Sequence, residues 1–316
     1  MATLNEIYRT RFIAAYGTLD IEPASARYRA IVGTGDLPAT SEGRLAASAI
    51  QKLKSGDEEG PTPPELAALE YLIRLMRPAP MFRNGEPDPM DAAEFKAAFP
   101  AWDEFRPQTP PWAYAVGRIE RDKTNPAGTG FLVSDRHLVT NNHVLDFISF
   151  GVRKLAKGQA VVRFEWEYEC APREGAVDIL AVVASHPTLD VCVLEVDTVD
   201  MKRRAPLRIA SAVPEIHSGV VAIGYPFNDS QRNPLFIPAI FGSTFGVKRG
   251  APGYVTGVRS ESATFFHDCS PLGRNSGSPL VSMHDGSVLG VHCGGGFLWR
   301  NEVVDCLALN KFVSSL

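Results

Sequence analysis

The sequence predicts an all-β double barrel preceded by a small α-helical N-terminal domain. Apolar residues recur at helical spacing through the first part of the chain and alternate at strand spacing in the rest. The Pro-dense stretch 106–111, RPQTPP, separates the two patterns. We therefore predict a helical domain over residues 1–108 and a β-rich domain over residues 109–316.

Four helical segments are predicted in the N-terminal domain. In the first, residues 3–16, Thr3 and Glu6 have capping-box spacing, and Gly17 supplies a C-terminal stop. Short loops between such helices are typical of a small bundle. The other segments are predicted over residues 42–54, capped by Ser41, over residues 62–77, ending before Pro78, and over residues 91–105, where Pro100 limits the length of the helix.

Short strands separated by turn residues are predicted from Trp112 onward. The clearest spans residues 161–169, where Phe164, Trp166 and Tyr168 alternate with glutamates, so that one face should be buried and the other exposed. The domain is long enough for two six-stranded barrels of roughly a hundred residues each. Further strands are predicted over residues 130–133, 137–140, 179–184, 191–196, 220–223, 254–258, 278–282 and 288–291.

Composition excludes several classes of protein. A net charge of −4 gives no basic footprint for nucleic acid or an anionic membrane, and no apolar run is long enough to span a bilayer. The N-terminus lacks the pattern of a secretory signal, so we expect a cytoplasmic protein. The five cysteines are widely spaced without a C-x-x-C pair, and no H-E-x-x-H is present, so we expect reduced thiols, no metal and no cofactor.

Ser276 is the candidate nucleophile. It lies between Asn275 and Gly277 in the stretch 271–282, PLGRNSGSPLVS. Because Gly, Asn and Ser are also ordinary turn residues, this stretch alone fits a structural turn equally well. A nucleophilic serine requires a base and an orienting carboxylate from elsewhere in the chain.

His143 and Asp190 are the candidate partners of that serine. His143 follows a predicted strand, where a neutral imidazole could accept the serine proton and return it to a leaving amine, although a loop histidine without a catalytic role is the alternative. Asp190 opens an apolar strand, where an unpaired carboxylate would be costly to bury, so we prefer it as the orienting group. Asp178 and Asp146 remain alternatives.

The order His143, Asp190, Ser276 is that of the chymotrypsin-type arrangement. Residues 112–316 resemble the bacterial trypsin-like peptidases, close to the glutamyl-endopeptidase and HtrA-like branches. The resemblance is carried by GTGFLVSDRHLVTNNHV (128–144), LDVCVLEVD (189–197), GYPF (224–227), GRNSGSPLV (273–281) and GVHCGGG (290–296).

This resemblance implies a chymotrypsin-like fold and a serine endopeptidase that forms an acyl-enzyme. Ser276 would be the nucleophile, His143 the general base and acid, and Asp190 the orienting group. The backbone N–H groups of Arg274 and Ser276 would form the oxyanion hole. The family usually has Gly where this chain has Arg274, so we expect Arg274 to resist a positive φ and the hole to form only on binding of substrate or partner.

The same resemblance implies a substrate pocket lined by Ser270, Pro271, His292, Cys293 and Gly294. His292 matches the histidine with which glutamyl endopeptidases hold an acidic side chain. Pro271 stands where a threonine would assist that binding, so a pocket-wall histidine without acidic preference is the alternative.

The predicted N-terminal helices carry no catalytic pattern, and we expect them to regulate the peptidase or dock a regulatory protein. Related bacterial peptidases are coupled to such modules in stress or phage-defence systems, which implies cleavage of a dedicated cytosolic partner. Asn275 stands where zymogen-activated digestive enzymes have Asp, so activation by insertion of a new N-terminus is not expected. The alternatives are a catalytically silent scaffold that binds peptides and, less favoured, an HtrA-type chaperone-protease.

Overall fold

The computed structural model describes residues 3–33, 36–170, 175–197, 202, 204–227, 236–270, 272–294 and 300–316. These residues form two compact units. The helical unit consists of the described residues within Met1–Pro78, Asp91–Ala98 and Ser230–Ser243, and the barrel unit contains the rest. Across the described residues, no helix is long and apolar enough to cross a membrane.

The helical unit begins as predicted. Its first helix starts after Thr3, whose side chain forms the capping box with Glu6, and it ends at Gly17 with φ 72°. The helices of this unit are α1 (Leu4–Tyr16), α2 (Glu22–Val32), α3 (Ser41–Ser55), α4 (Pro63–Leu75) and α5 (Ala93–Ala98), with a 3-10 turn at Leu37–Ala39.

A buried ion network lies in the core of the helical unit. Glu70 of α4 accepts hydrogen bonds from Arg11 of α1 and from Arg74 one turn further along α4. The Glu70 and Arg74 side chains are fully buried beside the apolar core residues of α4. Because a buried charge without a partner is strongly destabilising, packing of α1 on α4 depends on this network.

Three details of the helical region differ from the prediction. Helix α2 was not predicted, since its buried residues Ala24, Ser25 and Tyr28 make a weakly apolar stripe. The cap of α3 is Thr40, not Ser41, because the Thr40 hydroxyl accepts the Gly43 N–H at 2.9 Å. The predicted helix over residues 91–105 is divided at Pro100 into α5 and α6 (Trp102–Phe105).

The barrel unit contains two closed, six-stranded antiparallel barrels, which confirms the predicted double barrel. Strands of the first barrel are β3 (Val116–Arg121), β4 (Asn125–Leu132), β5 (His137–Thr140), β6 (Ala160–Arg163), β7 (Val177–Ser185) and β8 (Cys192–Val196). Those of the second are β9 (Gly219–Gly224), β10 (Arg249–Arg259), β11 (Thr264–His267), β12 (Pro279–Ser282), β13 (Val288–Gly294) and β14 (Asn301–Asp305). The first barrel has strand order β3-β4-β5-β8-β7-β6 and the second β9-β12-β13-β14-β11-β10.

Residues 79–90 and 99–108 belong to the barrel unit, so the compact units divide the chain differently from the predicted boundary at residue 108. The physical reason is local pairing: the Phe82 N–H donates to the Lys248 carbonyl at 2.9 Å, and Phe82 and Trp102 are buried. The additional elements of this unit are the hairpin β1 (Phe82–Arg83) and β2 (Glu86–Pro87), the helices α7 (Pro110–Ala113), α8 (Asn142–Ile148) and α10 (Cys306–Val313), and 3-10 turns at Arg106–Gln108 and Ser260–Ser262.

The predicted strand over residues 161–169 is wrong beyond Arg163, where β6 ends. Glu165 and Glu167 are buried, whereas Trp166 is 36% exposed, so the expected burial pattern is reversed over residues 165–167. Glu167 pairs with Lys248 at 3.0 Å and Glu165 with Arg204 at 3.1 Å. These buried cations, distant in sequence, stabilise the carboxylates inside the unit.

One helix of the helical unit comes from the middle of the barrel sequence. This helix, α9 (Phe236–Phe241), lies between β9 and β10 in the chain and contacts α2 and α4. Its residues Ile237, Ile240 and Phe241 are buried. The helical unit is therefore not built from the N-terminal sequence alone.

Candidate active site

The structure brings His143 and Asp190 together at neighbouring strand ends of the first barrel. Thr140, the last residue of β5, is paired with Cys192, the first of β8. His143 follows β5 at the start of α8, and Asp190 precedes β8. The imidazole Nδ1 lies 2.6 Å from Asp190 Oδ2, and the His143 backbone N–H donates to Oδ1 at 3.1 Å. With Nδ1–H donating to the carboxylate, Nε2 is the basic nitrogen of the neutral ring.

The competing carboxylates have other surroundings. Asp146 forms two hydrogen bonds with the Arg153 guanidinium, at 2.6 and 2.9 Å, and these hold the pKa of Asp146 below its usual value. Asp178 lies in β7. Asp190 is thus the carboxylate that contacts His143.

Two asparagines that the sequence analysis did not assign hold the Asp190 loop. Asn141 Nδ2 donates to the Asp190 carbonyl at 2.6 Å, and Asn142 Nδ2 donates to the Leu189 carbonyl at 2.9 Å. Both side chains come from the residues immediately before His143. The consecutive amides are the signal that could have identified them, because amide side chains bond readily to backbone carbonyls.

The Ser276 loop docks on the first barrel. The Thr129 N–H donates to the Ser276 carbonyl at 2.8 Å, and the Gly277 N–H donates to the His292 carbonyl at 2.9 Å. Gly277 has φ 85°, and a Cβ there would lie 2.1 Å from the Thr129 carbonyl oxygen. A Cβ on Gly128 would lie within 3 Å of both the Ser276 carbonyl oxygen and the Val144 side chain. Ser276 therefore lies beside the helix that carries His143.

Arg274 adopts the backbone conformation that was expected to need glycine. Its φ is 74°, so the expectation that Arg274 resists a positive φ is wrong. The Arg274 guanidinium lies 5.0 Å from the ring centroid of Phe147 on α8, and its carbonyl accepts from the Thr129 hydroxyl at 3.2 Å. A non-glycine residue in this region costs about 1–3 kcal/mol, which such contacts offset.

The peptide before Arg274 has a defined orientation. The Gly273 carbonyl accepts from the Phe227 N–H at 2.9 Å. Because a trans peptide places its C=O and N–H on opposite sides, the Arg274 N–H points away from Phe227. Within the described ranges, neither the Arg274 nor the Ser276 backbone N–H has a hydrogen-bond acceptor. Unengaged backbone donors of this kind are those that an oxyanion hole requires.

His292 is buried as a neutral donor beside a second histidine. Its Nδ1 lies 3.2 Å from His267 Nε2, and His267 Nδ1 accepts the Cys269 N–H at 3.2 Å. Because His267 Nδ1 is an acceptor, the proton of the His267 ring lies on its Nε2 and is donated to His292 Nδ1. The proton of the neutral His292 ring then lies on its own Nε2. Burial, together with the nearby His143 charge, lowers the pKa of His292 to about 4.

The other predicted pocket residues have contrasting surroundings. Ser270 is fully buried, and no described residue is a partner for its hydroxyl. Burial, with the negative charge of Asp190, raises the pKa of Cys293 to about 12, so its thiol stays protonated. Gly294 has φ 144° and open space at its Cβ position. Pro271 lies outside the described residues. No metal-binding group of three or more His, Cys, Asp or Glu occurs among the residues that the structure describes.

Comparison with known families identifies the chain. Residues 128–291, more than half of the sequence, match the family described as trypsin-like peptidase domain. The chain therefore belongs to that family, and the two barrels form a chymotrypsin-like double barrel.

Solved proteases share a limited likeness with the chain. The serine endoprotease from Yersinia pestis aligns over 65% of this chain and 63% of its own, at 19% identity and a TM-score of 0.47. The chain thus spans less than two thirds of that protein. The inactive form of the Rv3671c protease from M. tuberculosis aligns over 74% of this chain and 98% of its own, at 18% identity and a TM-score of 0.45. No curated protein sequence matches the chain.

Burial of neutral His292 predicts a pH-dependent contribution to stability. The pKa of His292 in the folded state lies below the ordinary 6.5, so the unfolded chain binds a proton at His292 more readily than the folded chain does. The free energy of unfolding therefore decreases as pH falls from about 6.5 to about 4. We expect the wild type to lose roughly 2 kcal/mol more than His292→Gln between pH 7 and pH 4.5, measured by urea unfolding. The exposed His284→Gln variant should follow the wild type. Equal losses in wild type and His292→Gln would contradict a buried neutral His292.

Proposed function

We propose that this protein is a serine endopeptidase that cleaves a protein substrate through His143, Asp190 and Ser276. The observation that carries the proposal is the two-point contact of Asp190 with the ring and backbone of His143, beside the Ser276 loop. This contact orients the imidazole so that Nε2 is free to act as a base. Membership in the trypsin-like peptidase family supports the same reaction class.

In the proposed mechanism, His143 Nε2 takes the Ser276 hydroxyl proton as the Ser276 oxygen attacks the scissile carbonyl. Asp190 stabilises the imidazolium, and the Arg274 and Ser276 N–H groups bind the developing oxyanion. The imidazolium returns its proton to the leaving amine, which leaves an acyl-enzyme. Water, activated by the same imidazole, then releases the acid and restores the Ser276 hydroxyl.

Covalent labelling of Ser276 by a fluorophosphonate tests this proposal. We expect Asp190→Asn to lower the labelling rate about a thousandfold or more, because an amide at this position no longer stabilises the required tautomer and imidazolium. Ser276→Ala should remove labelling. Asp146→Asn, which alters the carboxylate bound to Arg153, is the matched control and should stay within about threefold of the wild type. An unlabelled wild type would instead favour a catalytically silent, peptide-binding scaffold.

The substrate side chain before the scissile bond is proposed to be acidic, as in the glutamyl-endopeptidase branch. The His267–His292 pair supports this assignment because it leaves the proton of neutral His292 on Nε2, where it can be donated to a ligand carboxylate. The buried Ser270 hydroxyl, for which no described residue is a partner, would supply a second donor. Neutral donors bind a carboxylate without requiring a second buried charge.

Paired peptides with Glu or Gln before the scissile bond test the acidic pocket. We expect the wild type to prefer Glu by about tenfold in kcat/KM, since hydrogen bonds to a charged acceptor are the stronger ones. His292→Gln should reduce this preference while Ser276 labelling continues. The exposed His284→Gln variant should keep it. A wild type that favours basic or bulky apolar residues at this position would rule out the acidic pocket.

The helical unit is proposed to restrain the peptidase until a dedicated partner binds, in a cytosolic stress or phage-defence role. The sequence of the predicted N-terminal helices carries no catalytic pattern, which favours a regulatory role. A cavity of about 600 Å³ within the helical unit, lined by small residues including Ala26 and Ala30 of α2, is a candidate docking position for that regulatory protein. The restraint would come from the unit as folded, including α9, and not from residues 1–108 alone.

Destabilising the helical unit in the full chain tests this regulation. We expect Glu70→Gln to loosen the unit, because Arg11 and Arg74 lose their buried carboxylate, and to raise the Ser276 labelling rate at least about fivefold. Limited proteolysis reports whether the unit has loosened. Arg29→Ala removes an exposed ion pair with Glu22 and should change neither measurement. A loosened unit with an unchanged labelling rate would contradict the restraint.

A further inference from the structure

Arg274 carries an exposed cation next to the reacting atoms of the proposed mechanism. Its backbone N–H is one of the two donors assigned to the oxyanion, so its side chain begins within one residue of the scissile carbonyl. Arg274 is exposed, and its guanidinium lies over the Phe147 ring. In the part of the chain that the structure describes, this guanidinium forms no ion pair and no side-chain hydrogen bond. Its N–H donors are therefore available to a ligand.

A second arginine holds the Phe147 ring in place. The Arg121 guanidinium lies 4.3 Å from the centroid of the Phe147 ring and donates to the Phe147 carbonyl at 3.3 Å. Arg121 also pairs with Asp122 at 3.4 Å, so its charge is balanced within the protein. Phe147 is thus a fixed surface for Arg274. Stacking on a ring orients a guanidinium while its in-plane N–H donors stay accessible.

Helix α8 places this surface on the leaving-group side of the candidate site. His143 and Phe147 are four residues apart in α8, so they lie on the same face of that helix. In the proposed mechanism His143 returns its proton to the leaving amine, and the peptide that begins with this amine therefore starts beside α8. The proposed pocket for the residue before the scissile bond belongs instead to the second barrel, with His292 in β13. The Phe147 ring and the Arg274 guanidinium consequently flank the peptide after the scissile bond.

The carboxylates next to this surface are already paired. Asp146 of α8 forms two hydrogen bonds with the Arg153 guanidinium, at 2.6 and 2.9 Å. Asp122 pairs with Arg121. Among the described residues, no carboxylate forms an ion pair with Arg274. A carboxylate from a ligand would balance this positive charge, and arginine binds carboxylates through paired N–H donors.

An exposed aromatic ring continues the surface away from the scissile bond. Phe150 is 64% exposed, and its ring centroid lies 4.6 Å from the Arg121 guanidinium, which also contacts Phe147. The two rings are therefore neighbours. Phe150 follows the end of α8, so a peptide that leaves His143 along this helix would reach Phe147 first and Phe150 next. Neighbouring aromatic side chains at a surface are typical of a binding site.

We propose that Arg274 is a specificity-determining residue that binds an acidic side chain of the substrate within the first three residues after the scissile bond, with Phe147 as its support. This inference rests on the proposed peptidase function, because the position of the leaving amine follows from that mechanism. The ligand class is a peptide carboxylate, from Asp or Glu. One residue would thus supply its N–H to the oxyanion and its side chain to recognition of the leaving peptide.

The test uses peptides that share the same residues before the scissile bond and carry Glu, Gln or Lys at each of the first three positions after it. We expect the wild type to prefer Glu to Gln about fivefold in kcat/KM at one of these positions, as an exposed ion pair would provide. Arg274→Gly should abolish the preference, and Arg274→Glu should reverse it toward Lys. Arg136→Gln, which alters an exposed arginine paired with Glu195, should keep it.

A chromogenic substrate with the same residues before the scissile bond and an uncharged aniline leaving group separates the Arg274 side chain from its backbone. Any effect of Arg274→Gly on the oxyanion hole changes the rate on this substrate and on both peptides alike, so the ratio of Glu to Gln reports the side chain. A variant that changes all three rates but keeps the Glu preference overturns the subsite. A labelled wild type that cleaves the Glu and Gln peptides equally does so as well.

Binding distinguishes failure of this subsite from failure of the proposed function. Ser276→Ala protein is titrated with the fluorescent Glu and Gln peptides, and binding is followed by anisotropy. If the wild type is neither labelled at Ser276 nor able to cleave the peptides, a fivefold tighter binding of the Glu peptide that Arg274→Gly removes in this background still supports the subsite. Equal binding of the two peptides overturns it.

Discussion

The candidate active site depends on Thr129, a fully buried residue of the first barrel that holds the serine loop of the second. Its N–H donates to the Ser276 carbonyl at 2.8 Å, and its hydroxyl donates to the Arg274 carbonyl at 3.2 Å. Its own carbonyl accepts from Thr140 of β5 at 2.7 Å, the strand that leads to the histidine. One side chain and its peptide thus set the position of the proposed nucleophile relative to the proposed base. Since Thr129 and Thr140 are fully buried, each lost bond would leave one of their polar groups without water to replace it.

Much of the barrel architecture could be predicted from the sequence because alternation and turn residues are local signals. The strand at His137–Thr140 was predicted with its observed bounds. The structure of the segment after Arg163 was not predicted correctly. Alternation shows that a segment has two faces, but it does not show which face the fold buries. Lys248 and Arg204 decide that question here by pairing with Glu167 and Glu165, and neither cation is near them in sequence. Long-range ion pairs of this kind override a local pattern.

The candidate site shows the same division between local and distant information. The order of His143, Asp190 and Ser276 indicated the triad, and the structure brings Asp190 to His143, while the catalytic roles remain predictions. Arg274 was misjudged because the rule that a positive φ needs glycine considers the backbone alone. The Phe147 ring that packs against the Arg274 guanidinium comes from the other barrel. No spacing in the sequence could reveal that contact.

The origin of α9 in the middle of the barrel sequence also constrains how the protein is made. Helices α1 to α4 leave the ribosome first, but the helix that packs on α2 and α4 follows only at Phe236–Phe241. At about 5–20 residues per second, the intervening chain takes roughly 10 to 30 s to synthesise. During that time the surface that α9 covers has no partner from its own chain. Completion of the helical unit therefore waits until synthesis has passed β9, the first strand of the second barrel.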